Sequence, residues 1–510
     1  MKHIVVLGGG ASGWLTALYL QMSLAKVKIT VVESKSIGIL GAGEGSVPPL
    51  ISLLDYLKIS VSEIIKECDA TIKTGIKFTN WNNDNEFYHH SFSPGASLDF
   101  NGLDFNLFGL SVHSAVLSDL YRKETIKNVD FIEKCSKENK VPFIKNNYKY
   151  ENPIFNYDHL AFYSIHFNAI KMANKLKEIG VSRGINLIDS VVSDIIFDNN
   201  DNVKSLVLEN NKKINLDFIF DCSGFSRLII GKKYNAKWKS HSKYLPVDSA
   251  IPFFLETDKY IPPYTEAIAM KYGWIWKIPL QSRYGCGYVY DSSLVEDDEI
   301  RKEIEDWLGY VPEYQRKDKG PFKFEAGYFE EPWINNCIAI GLAAGFIEPL
   351  EATSIWVTIM SLEKILGGVE WLFINDERHR KYFNNYFKSI NDQVVDFIYF
   401  HYMSERKDTD FWKKFTYENA SDNLKNKLNM FDYRLINRHD VEGEIWSTIS
   451  WLSIANGNKK INKNISKIYN KHSRTQVENL NRYEEIVKLQ NDIVSQCIDH
   501  KVFFYSFNDK

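Results

Sequence analysis

An α/β fold with an added β-layer and a mainly helical C-terminal region is predicted by three observations. The chain opens on a βαβ pattern, candidate strands then alternate with helix-like stretches to about residue 350, and strand signals fade from Glu351 onward. Ile4 to Leu7 is a short apolar run, Gly8 to Gly13 (GGGASG) is a turn, Trp14 to Leu24 is helix-like, and Val27 to Glu33 reads as a second strand. Further strands are expected at Ile188 to Phe197, Val203 to Glu209, Asp217 to Cys222, Gly287 to Tyr290 and Cys337 to Ile340, with a helix from His166 to Arg183. Helices are expected from Glu351 to Trp371, Phe383 to Tyr402 and Gln476 to Ile498. The expected division is therefore a domain over residues 1–350 and a helical one over 351–510. The polar stretches Asp198 to Asn202 and Asn456 to Lys463 read as solvated turns.

A chain of 510 residues, 44% hydrophobic, is long enough to bury a large core. Its 62 Lys and Arg against 65 Asp and Glu leave almost no net charge, so no global field would draw it to nucleic acid or an anionic membrane. A small neutral partner fits better. The six cysteines lack any C-x-x-C pair and are expected to be reduced packing groups, without a metal site or disulfide framework. No apolar run of about 18 residues and no signal peptide is visible, so a cytoplasmic location is expected.

In Gly8-x-Gly10-x-x-Gly13, the first glycine permits a tight turn, the second lets backbone approach a pyrophosphate, and the third lets helix and strand pack closely. The turn also includes Ala11 and Ser12, and the helix N-terminus that follows suits phosphate. Glu33 closes the second strand, where an acid can bond ribose hydroxyls. This is a Rossmann-like dinucleotide fingerprint. Phe218 to Arg227 (FIFDCSGFSR) ends a second apolar strand in Asp221 and Gly224, a second approach to the cofactor that favours FAD over NAD.

Three further segments carry chemistry. Gly273 is followed by WIWKIP, containing Trp274, Trp276, Ile278 and Pro279. Gly341 to Ile355 reads GLAAGFIEPLEATSI, and Ala70 to Trp81 reads ATIKTGIKFTNW. Together they resemble the flavin-dependent halogenases of the tryptophan halogenase family: the W-x-W-x-I-P signature, the segment with the catalytic glutamate and halide turn, and the catalytic-lysine segment. The likeness continues through GAGEGSVP (Gly41 to Pro48), LPVDSA, GCGYVY and the stretch Asp396 to Trp412, covering most of the chain to about Trp412.

The resemblance implies a flavin monooxygenase-type FAD domain and an enzyme that uses reduced FAD, O2 and chloride or bromide to make hypohalous acid. It assigns Lys73 to guide that species, Glu351 to polarise it or take up the arene proton, and Thr353 and Ser354 to bind halide. Ala42, Gly43, Gly341 and Pro349 join the cofactor set, and the paired tryptophans separate flavin from substrate. Lys77 lies on the same stretch as Lys73, and Glu351 could simply cap a helix, since an acid in a first turn is favoured there. No second nicotinamide domain is visible, so a separate flavin reductase is the implied partner. His89, His90 and Phe92 resemble the family's substrate-facing aromatic patch, with Trp446 and Trp451 as further candidates. The paired-tyrosine lid of tryptophan-specific members is missing from Glu442 to Asn458, which points to an electron-rich arene such as an indole or phenol. An FAD monooxygenase would share the glycine turn and the DCSGFSR strand but would not need Lys73, WIWKIP or EATS. A binding flavoprotein would need none of the three. Oligomeric state stays open, a homo-oligomer included.

Overall fold

The computed structural model describes residues 1–37, 41, 43–92, 97–98, 104–105, 131–145, 157–160, 162–315, 320–366, 372–374, 376–481 and 483–505. Ala42 lies outside them. The chain forms two compact units, one of residues 1–70, 167–246 and 324–394 and one of residues 71–166, 247–323 and 395–510. This differs from the expected division at residue 350. The chain crosses between the units because strands distant in sequence share a sheet in each.

In the first unit, strands Asn186–Asp189, Val27–Glu33, Lys2–Leu7, Phe218–Asp221 and Cys337–Ala339 form a parallel sheet in that order, closed by antiparallel Trp333–Ile334. Numbered along the chain, the parallel strands run 3-2-1-4-5, so the order reverses between Lys2–Leu7 and Phe218–Asp221. A crevice at the carboxyl ends of those two strands is where such sheets bind ligands. The strands read as continuous apolar runs because both faces are covered. One face carries the antiparallel layer Val192–Phe197, Val203–Leu208 and Lys213–Asn215, whose Ile195, Leu206 and Leu208 pack with Val5, Leu7 and Ile219. Helices Ala11–Ser23 and Ala169–Ser182 pack so closely that a Cβ on Gly180 would lie 2.7 Å from the Trp14 ring. The expected helix from His166 starts later. His166 sits in strand Ser164–Asn168, and the Asn168 side chain caps the helix by accepting from Ile170 and Lys171.

The second unit is built on a largely antiparallel sheet in the order Glu313–Tyr314, Ser249–Glu256, Arg283–Tyr290, Gly273–Pro279, Thr265–Ala269, Gly75–Thr79 and Phe87–Ser91. Thr265–Ala269 and Gly75–Thr79 are the one parallel pair in that order. Helix Thr448–Gly457 packs on the last strand, where Gly457 leaves room for the Tyr88 ring. The helices expected at Glu351 to Trp371 and Phe383 to Tyr402 are present as Thr353–Leu366 and Glu377–Tyr402, and the one expected at Gln476 to Ile498 is divided into Arg474–Asn481 and Tyr483–Gln496. Asp422–Met430, Lys463–His472 and His500–Tyr505 are further helices that were not expected. All six cysteines are buried and free of disulfides. Among the described residues, no helix is long and apolar enough to cross a membrane.

Candidate active site

The glycine turn has the geometry its spacing predicts. Gly8 has φ +124°, and a Cβ there would strike the Cys222 carbonyl at 2.1 Å. A Cβ on Gly13 would lie 2.0 Å from the Gly8 carbonyl, whereas one on Gly10 would meet nothing within 4 Å. The first and third glycines are thus needed by the protein's own packing, and the second faces open space at the start of helix Ala11–Ser23. That is the cradle a dinucleotide phosphate requires, and the residues fit FAD. Glu33 closes its strand beside the turn and is held by Trp14 Nε1 at 3.2 Å and by Lys177 Nζ at 3.0 Å. Lys177, on helix Ala169–Ser182, carries no local signal in the sequence.

Asp221 organises the second strand end. Its buried carboxylate accepts from the Ser223 N–H and hydroxyl and from the N–H groups of Ile229 and Ile230, which organises the turn after the strand. These bonds build the loop that presents Gly224 at the end of the strand. Gly341 has φ +65°, and a Cβ there would come within 2.7 Å of Ser12 Oγ. Ser12 Oγ also lies 3.5 Å from Thr358 Oγ1, so the glycine turn, Gly341 and helix Thr353–Leu366 meet in one place.

That helix is introduced by a tight turn in which the Ala352 N–H donates to the Pro349 carbonyl at 3.1 Å. Ala352 adopts φ +53°, an uncommon left-handed conformation for a residue with a Cβ. The N–H groups of Thr353 and Ser354 follow at the helix start, where helix geometry offers them no intrahelical acceptor. Glu351 precedes the left-handed residue and is 1% exposed, and Glu348, which the sequence reading passed over, is fully buried. A carboxylate buried to this degree is more than a solvated helix-start acid.

In the second unit, Lys73 ends strand Thr71–Lys73, 1% exposed, with its ammonium 5.4 Å from the centre of the Phe92 ring. Lys77, four residues on, is engaged by Glu266 at 3.2 Å and lies over the Phe87 ring. The glycine after Lys73 and Thr74 is also explained. A Cβ on Gly75 would approach the His90 carbonyl to 2.4 Å, so K-T-G-I lets two backbones meet.

Thr71 ties the lysine strand to the tryptophan signature. Its hydroxyl donates to the Pro279 carbonyl at 2.7 Å and therefore accepts from His166 Nδ1, at 2.9 Å. With its proton on Nδ1, the ring's Nε2 accepts from Thr265 Oγ1, also at 2.9 Å. His166 is neutral, and burial, reinforced by the charge of Lys73, holds its pKa well below the usual histidine range. Trp274 and Trp276 share one face of strand Gly273–Pro279, their rings 6.3 Å apart. Trp274 is buried and donates to Tyr402 Oη at 2.8 Å, and Gly287 leaves the space that the Trp276 ring fills. Ile278 is buried beside them.

Strand alternation separates the two histidines of FYHHSF. His90 is buried against Phe397, His401 and Trp446, while His89 packs against Phe87 and Tyr264. Trp446 stacks on Phe397 with ring centres 4.0 Å apart. Trp451 is 1% exposed, wedged between Phe397 and Phe400, and belongs to the core. Phe397 and His401 lie in the stretch Asp396 to Trp412 that carries the family likeness, but nothing in the sequence singled them out within it.

Comparison with known proteins matches residues 3–474 to the family model described as tryptophan halogenase. The chain is 31% identical over 453 residues to tryptophan 7-halogenase RebH of Lentzea aerocolonigenes, covering 84% of this chain and 82% of that one. It is 28% identical to tryptophan 6-halogenase SttH of Streptomyces toxytricini, with 86% and 85% covered. Among solved structures, Tar14, a tryptophan C-6 flavin-dependent halogenase (chlorinase) from taromycin biosynthesis, superposes with a TM-score of 0.86 at 26% identity over the full length of both chains. The dinucleotide cradle, the tryptophan signature strand and this match together place the chain in the tryptophan halogenase family of flavin-dependent halogenases.

Proposed function

We propose that this enzyme forms hypohalous acid from halide and delivers it to an electron-rich arene such as an indole or phenol. When bound, reduced FAD supplies, with O2, the oxidising capacity for that conversion. The glycine turn and Glu33 hold the dinucleotide. The Thr353 and Ser354 N–H groups, at the helix start that follows the left-handed Ala352, bind the halide as a backbone nest does. Lys73 hydrogen-bonds the hypohalous acid and fixes the electrophilic halogen, a gain of the kind orientation supplies. Glu351 accepts the proton the arene releases, and Trp274 and Trp276 keep oxygen transfer from reaching the arene directly. A flavin reductase supplies the reduced cofactor.

The observation that carries this reading is the burial of Lys73 on a strand bonded to the end of the signature strand, while Lys77 is committed to Glu266. Lysine is rarely buried to this degree, because taking its ammonium out of water costs desolvation free energy. The test incubates the protein with reduced flavin, O2 and chloride, bromide or iodide in turn, over indoles, phenols and free tryptophan, and reads product mass. Halogenated indoles or phenols are expected, with the more easily oxidised heavier halides used at least as readily as chloride. Hydroxylated product alone would make the protein a monooxygenase. Exclusive chlorination of free tryptophan would reveal an amino-acid clamp that the sequence from Glu442 to Asn458 does not display.

A further inference from the structure

Strand Thr71–Lys73 lies at the edge of its small sheet, paired along one side with Ser164–Asn168 in the register Ser164–Lys73, Ile165–Ile72 and His166–Thr71. An edge strand presents backbone groups that need partners when buried. Here the Ile72 N–H, one residue before the lysine, donates to His500 Nε2 at 3.2 Å. His500 Nδ1 lies 2.7 Å from the Ile261 carbonyl. A main-chain N–H can only donate and a carbonyl can only accept, so Nε2 is bare and Nδ1 carries the proton. His500 is therefore a neutral imidazole in one tautomer with both nitrogens engaged. It is completely buried, and its own N–H is bonded to the Asn139 carbonyl at 2.9 Å. This residue comes 428 positions after Ile72 and beyond residue 474, where the family match ends.

We propose that His500 is a positioning residue for Lys73, supplying from the C-terminal helix the acceptor that a neighbouring strand would otherwise have supplied. The inference rests on the role of Lys73 given above. Without the acceptor, a buried N–H next to the lysine is unsatisfied, and the strand must shift to reach another partner. Displacing a reacting group by about 1 Å can cost about 100-fold in rate.

The experiment uses the full-length enzyme with reduced FAD, O2, bromide and an indole, and compares H500Q, H500N, H500F and K73A. Glutamine places its Oε1 near the position of Nε2 and can accept from Ile72. Asparagine is too short, and phenylalanine fills the space without accepting. We expect H500Q to keep kcat within about threefold, and H500N and H500F to lose about 10- to 100-fold in kcat. Arene KM and FAD affinity should stay within about twofold of the parent, and more hypobromous acid should escape to a soluble trap. The double variant K73A/H500F should be no worse than K73A. Parental kcat in H500N and H500F would overturn the proposal, as would equal loss in H500Q and H500N. Should H500F not fold, the H500Q and H500N pair decides, their melting temperatures being compared directly. Full activity in K73A would instead overturn the role of Lys73 itself, whatever the His500 variants do.

Discussion

Lys73 and Lys77 sit four positions apart on one stretch, yet burial and pairing give them different chemistry. Lys77 is partly exposed and shared between Glu266 and two aromatic rings, so K77A should cost at most about 1 kcal/mol of stability and leave turnover near the parent. K73A should lower halogenation by about 100-fold or more while FAD still binds, because the glycine turn is untouched. Product formation and flavin titration on the same samples check both. Dead K77A beside active K73A would reverse the assignment. Glu351→Gln keeps the shape but cannot accept a proton, so it too should retain FAD and lose about 100-fold in turnover. Unchanged turnover would reduce Glu351 to a buried helix-start residue. At this scale the sequence held the residue types but not their surroundings. Whether His89 or His90 faces the aromatic cluster depends on strand parity, which a doubled histidine leaves undetermined until pairing with Gly75–Thr79 fixes it. Trp451 shows the same limit, since an aromatic in a helix shows its type and not the direction it faces.

The glycine turn is the element most completely legible in the sequence, because Gly8 and Gly13 answer local steric demands that spacing alone encodes. Gly13 and Gly10 can be tested separately. G13A drives a Cβ to within 2.0 Å of the Gly8 carbonyl, so the turn must open, at a cost of about 1 to 3 kcal/mol and with loss of FAD binding. G10A meets no protein atom and has an extended backbone that alanine tolerates, so its melting temperature should match the parent. Its FAD affinity should fall all the same, because the new methyl occupies the space a phosphate needs. Melting curves of the apoprotein and flavin titrations distinguish the two; parental FAD affinity in G10A would mean that the phosphates lie elsewhere. The second strand end was legible for the same reason, but the role of Asp221 was not. Its four bonds go to Ser223, Ile229 and Ile230, whose placement depends on the turn that the carboxylate itself creates. The apolar spacing from His166 suits a helix, whereas its first three residues complete strand Ser164–Asn168, which pairs with Thr71–Lys73 through His166.

Across the whole molecule, the least legible feature is the set of long-range contacts that leave histidines buried and neutral, and these contacts set the response to acid. Burial lowers the pKa of His500 to about 4 and holds His166 well below its ordinary value of 6.5, while desolvation and the nearby Lys77 charge lower that of the partly buried His89 to about 3. An unfolded chain takes up protons on these rings near pH 6.5 while the folded chain does not. Their contribution to stability is therefore fully present above pH 6.5 and is lost as the pH falls toward the folded values. For His500 the window is about pH 6.5 to 4, and its full contribution is on the order of 3 kcal/mol. Glu44 works in the opposite sense, since burial raises its carboxyl pKa to about 7, so the total slope alone identifies no single group. Comparing the parent with H500Q removes that ambiguity. Urea unfolding between pH 7.5 and 4 should show the two proteins diverging above pH 6.5 by a constant amount. Below it, the parent should lose stability faster, by up to about 1.4 kcal/mol per pH unit. Parallel curves throughout the window would mean that His500 is protonated in the folded protein, which is incompatible with Nε2 accepting from Ile72.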